Sequence, residues 1–166
     1  GAGQVTGEHA YTVPGFYTIT VTVTDDGGLS GQSIYKDLVI YDPNGGFITA
    51  GGWISTVYGK SNFGFVVKYL QTDLVPTGDL EFQISKNMNF KSTGFDWLVV
   101  SGSMAYFKGS GTINGDGSYQ FIVTSEDGKP ADKIRFVIWE TGDPTHIIFD
   151  NGSLQDLGGG SIQIQK

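Results

Sequence analysis

The chain has 166 residues, among them 26 glycines and no cysteine; only 16% are charged, and the formal charge is -7 at pH 7. Sparse charge and abundant glycine exclude a charged helical bundle, while 39% hydrophobic and 13% aromatic content exclude a disordered tail. The negative field argues against nucleic acid as a partner. No run reaches the roughly 18 apolar residues of a membrane span, and the missing thiols exclude both a disulfide framework and a cysteine nucleophile.

The opening GAGQVTGEHA has neither the basic nor the apolar region of a signal peptide, so a secreted chain would be seen here after processing. Tyr17 to Val23 (YTITVTV) puts Tyr17, Ile19, Val21 and Val23 on one face and Thr18, Thr20 and Thr22 on the other, the pattern of a half-buried strand. A turn cluster, Thr24 to Gly28, leads to a second strand over Ile34 to Tyr41 that ends at Asp42-Pro43. The stretch DPNGG then sets a boundary around residue 43, dividing the chain into segments 1–42 and 43–166.

In the second segment strands are expected over Phe47 to Ile54, Phe63 to Leu70, Leu80 to Ser85, Met88 to Lys91, Phe95 to Val100 and Met104 to Phe107. Others are expected over Tyr119 to Thr124, Ile134 to Ile138, His146 to Phe149 and Ser161 to Gln165. Spacings of about 8 to 12 residues, with Gly, Asn and Asp turns between, are those of a sandwich or barrel. The strands follow too closely for crossover helices, so an all-β antiparallel β-sandwich is the expected fold class.

The stretch His9 to Asp42 resembles the closing part of a PKD domain, an immunoglobulin-like sandwich of extracellular bacterial and archaeal proteins. Tyr11, Pro14, Gly15, Tyr17, the TVTVTD run and Asp25-Asp26-Gly27 carry the likeness. That family's opening strands and WDFGDG-type segment have no counterpart, so the likeness covers about its second half. Residues 43–166 resemble a module that follows PKD repeats at the C-terminus of large secreted proteins. GGFITAGGWI, FGFVVKY, PTGDLEFQ, FDWLVV, KGSGTINGDGSYQF, DKIRFVIWE, IIFDNG and GGGSIQIQK carry that second likeness. The resemblances imply a secreted or cell-surface location and a noncatalytic structural or adhesive role, with no required cofactor.

Half a sandwich cannot cover its own apolar face, and each large side chain left in water forfeits about 1.5 to 3 kcal/mol. Tyr17, Ile19, Val21 and Val23 therefore form a candidate assembly face. It is sheltered either by residues 43–166 or by strand donation from another copy or a neighbouring domain of a parent protein, and head-to-tail donation runs on into a filament.

Candidate chemistry is sparse. Asn114, Asp116 and Ser118 stand at alternate positions of NGDGS like the opening of a calcium loop, but the bidentate glutamate is missing and an Asn-Gly hairpin turn explains the same residues; calcium here would be structural. His146 near Asp143 or Asp150 can be drawn as part of a hydrolase triad, but no GxSxG elbow accompanies it. Trp97 shares parity with Phe95 and Val99 and is expected in the core. Trp139, opposite in parity to Ile134, Phe136 and Ile138, is the candidate for stacking on a polysaccharide, the alternative being a carbohydrate-binding accessory module. Asn151-Gly152-Ser153 is a glycosylation sequon of low specificity.

Overall fold

A computed structural model describes residues 4, 6–42, 44–70 and 73–165. All regular elements among them are strands: β1 Gly15–Thr24, β2 Ser30–Ile40, β3 Phe47–Thr56, β4 Gly59–Lys68, β5 Thr77–Ser85 and β6 Met88–Ser101, then β7 Met104–Ile113, β8 Asp116–Glu126, β9 Lys133–Glu140, β10 Asp143–Asp150, β11 Gln155–Asp156 and β12 Gly159–Gln165. Every pairing is antiparallel. The strands expected over Met88 to Lys91 and Phe95 to Val100 are two parts of β6, and β11 is additional. The boundary expected around residue 43 falls on a position outside the described residues, between β2 and β3.

Among the described residues β1 and β2 pair only with each other, as a ribbon separate from the larger sheet, whereas β3 to β9 run as a continuous meander flanked by β10 and β12. The facing layers expected of a sandwich come here from one ten-stranded sheet curled strongly on itself. Phe82 of β5 stacks on Phe136 of β9 at 4.2 Å, although three strands lie between them in the sheet. Period-two alternation accounts for this interior. Phe63, Phe65 and Val67, then Leu80, Phe82 and Ile84, then Phe121 and Val123, then Ile134, Phe136 and Ile138 all point inward and are buried.

The curl brings the two ends of the sheet together. β11 pairs with the start of β9, and after Leu157 and Gly158 the chain becomes β12 on the free side of β3. Leu157 N–H donates to Asp132 O (3.0 Å) and Gly158 N–H to Trp53 O (2.9 Å). The far edge of β12 is capped by carboxylates of the β8–β9 loop: Ile162 N–H donates to Asp132 Oδ2 at 2.7 Å and Ile164 N–H to Asp127 Oδ2 at 3.2 Å. The GGG run is explained at this seam. A Cβ on Gly158 would lie 2.2 Å from the Trp53 ring, and Gly160 combines φ +107 with a similar clash on Gly51 O.

Candidate functional site

The ribbon register pairs Tyr17 with Leu38, Ile19 with Tyr35 and Val21 with Ser33, with one bulge between Tyr17 and Ile19. Tyr17, Ile19, Val21, Val23 and Tyr35 therefore share one face, as the strand pattern required, and Phe16, Thr20, Thr22 and Ile34 share the other. Tyr17 is half-buried. Its ring lies 4.4 Å from Tyr11, and its hydroxyl donates to Val13 O at 2.7 Å. Beyond it the apolar face lies open, with Val21 46%, Val23 55% and Tyr35 62% exposed. The predicted assembly residues are thus brought together, and the described part of residues 43–166 leaves Val21 and Val23 uncovered.

The ribbon is held to the curled sheet at its base, through the opposite face. Phe16 sits edge-on to Trp97 at 5.1 Å and to Tyr106 at 4.9 Å, on the outer surface of β6 and β7. Val99, paired with Tyr106 on that surface, is fully buried yet is no part of the interior cluster. Trp97 is not the core residue its parity suggested, because a register shift between Phe95 and Trp97 turns it outward. Tyr41 stacks on Tyr69 at 5.7 Å, and Tyr69 Oη bridges Leu98 O and Leu98 N–H. Burial raises the pKa of both docking tyrosines, Tyr69 and Tyr106, above the ordinary phenol value.

The other sequence candidates are dispersed. Asn114 takes φ 54 at the β7–β8 turn, its Oδ1 accepting from Asn89 N–H and its Nδ2 donating to Asn87 O. Asp116 accepts from Gly117 N–H, and Ser118 Oγ donates to Thr141 Oγ1. The three side chains are engaged by four different residues, and Asn114-Gly115 makes an Asn-Gly hairpin turn. Trp139 is half-buried on the outer surface between Gln120 and Ile147. His146 Nδ1 lies 2.6 Å from Glu140 Oε2, not from Asp143 or Asp150. Asp150 holds Arg135 in a bidentate pair at 3.0 and 2.8 Å. The guanidinium and then Gly152 N–H keep its carboxyl below the usual range. Asp143 is likewise lowered, by the Thr145 hydroxyl and amide.

Two features lay beyond sequence reasoning. Asn151, noted as a sequon, completes β9 where β10 stops and β11 has not begun: its Oδ1 accepts from Phe136 N–H at 2.7 Å and its Nδ2 donates to Ile134 O at 3.1 Å. Where β5 and β6 part, a groove of about 670 Å³ opens outward between Asn62, Asp79, Glu81, Gln83, Lys91 and Ser92. There Ser92 Oγ replaces a strand in accepting Leu80 N–H at 2.9 Å. No protein-family model, curated protein or solved structure matches this chain.

Proposed function

We propose that the protein is a noncatalytic extracellular module with a structural or adhesive role, whose ribbon joins it to a neighbour in a surface or secreted assembly. The observation that carries this reading is the apolar ribbon face beyond Tyr17, which stays in water in the isolated chain. Its large side chains are about half exposed, so each forfeits roughly half of the 1.5 to 3 kcal/mol that full burial gives, which contact with a partner recovers. The likeness of His9 to Asp42 to the second half of an immunoglobulin-like PKD domain supports the same reading, since half a sandwich is completed by added strands. Sedimentation velocity from micromolar to submillimolar concentration tests it. The expected result is association of the chain that disappears in a Val21→Asp, Val23→Asp variant with an unchanged curled sheet; a monomer at every concentration overturns the reading.

The groove between β5 and β6 favours a second reading, an accessory module for polysaccharide. Side-chain amides and carboxylates at Asn62, Gln83, Asp79 and Glu81 suit a row of hydroxyls better than the single ring of Trp139 does. Titration with soluble polysaccharides should give binding lost in Glu81→Ala and kept in Trp139→Ala; the reverse pattern, or no binding, removes this reading.

A further inference from the structure

An unpaired strand edge is a template for another chain, and proteins guard such edges with charge, bulges or covering loops. Three edges of this molecule are guarded. β12 is capped by Asp127 and Asp132, β10 is broken by two register shifts, and β2 carries Lys36 beside its bulge. β1 is not guarded: from Gly15 to Thr24 it has ten residues without a charge or a proline, and among the described residues its only strand partner is β2.

The ladder fixes which groups that edge presents. Asp25 N–H donates to Leu29 O at 2.9 Å, so by antiparallel alternation the odd residues Ile19, Val21 and Val23 spend their backbone groups on β2. Thr18, Thr20, Thr22 and Thr24 turn theirs outward. We infer that β1 pairs antiparallel with β1 of a second copy about a two-fold axis at Thr20, joining two ribbons into one four-stranded sheet. This inference rests on the assembly reading and names its edge, register and partner.

The strand is complementary to itself in that register. Thr20 faces Thr20 of the other copy and Thr18 faces Thr22, all with outward backbone groups free to exchange bonds. Ile19 faces Val21 and Tyr17 faces Val23, at the non-hydrogen-bonded positions where side chains approach most closely. The apolar faces of both ribbons become continuous and no charges oppose. A two-fold contact uses the same edge on both copies and closes, so the product is a dimer and not the filament that head-to-tail donation would give.

Because the chain has no native cysteine, single substitutions read the register directly. Thr20→Cys places two thiols across the axis at about 5.5 Å between Cα atoms, within disulfide reach. Mild oxidation should therefore give a covalent dimer. Thr22→Cys alone should not crosslink, its two copies lying about 13 Å apart along the strands, but should crosslink when mixed with Thr18→Cys. Thr20→Lys, on the exposed threonine face, should weaken association by about tenfold or more by setting like charges on the axis. Association without the Thr20→Cys crosslink overturns the register while leaving the assembly reading standing; a chain that stays monomeric overturns both.

Discussion

Asn151 does with one side chain what a strand does with its backbone, accepting from Phe136 N–H and donating to Ile134 O across the gap between β10 and β11. Asn151→Ala leaves those half-buried groups unsatisfied, and a loss of about 1.5 to 3 kcal/mol is expected in denaturant unfolding, with Asn151→Asp recovering only the accepting half. Neighbouring Asp150 sets an acid limit. Its folded pKa lies below the unfolded value near 4, so the stabilisation is present above about pH 4 and is lost as pH falls through the lower folded value. In Asp150→Asn the acid-side decline in Tm should be shallower and the neutral-pH stability lower by about 1 kcal/mol, since the pair with Arg135 is partly exposed.

At the scale of elements, ribbon and curled sheet meet through few residues, Phe16 between Trp97 and Tyr106 and Tyr41 on Tyr69. Phe16→Ala removes the wedge without touching the interior cluster. It is expected to speed amide exchange in β1 and β2 several-fold while leaving exchange in β4, β5 and β9 unchanged; equal acceleration everywhere would mean that ribbon and sheet unfold as one unit. The same elements mark where sequence patterning reaches its limit. Alternation correctly sorted Ile134 to Ile138, because a strand with one dry face writes its register into every second residue. It failed at Trp97, because a bulge shifts parity with no local signature, and it split β6 in two where the bulges near Ser92 and Phe95 bend one long strand. The ribbon's apolar stripe was legible, but the cis anchor at Phe16 was not. That residue lies on the threonine face and its partners come from β6 and β7, about 80 to 90 residues away.

For the molecule as a whole, antiparallel all-β character was written in turn spacing and composition, but the count of sheets was not. One curled sheet and two stacked sheets use the same alternation; they differ only in whether successive strands stay hydrogen-bonded around the bend, and that depends on bulges and on groups distant in sequence. The seam illustrates this, since Asp127 and Asp132 read as loop residues and act as the far rail of β12. The groove at β5 and β6 was equally silent, being a place where pairing ends and not a motif.

The pairing of β3 with β12 matches Trp53 to Gly159 and Phe47 to Gln165, so the first strand of the curled sheet takes a partner made more than a hundred residues later. A nascent chain can zip the meander hairpin by hairpin, but this last join waits until the ribosome has delivered the closing strand, and such high contact order slows folding. Until then β3 stands as a bare flank on a growing polypeptide, and loss of only the last seven strand residues would leave that flank bare for good.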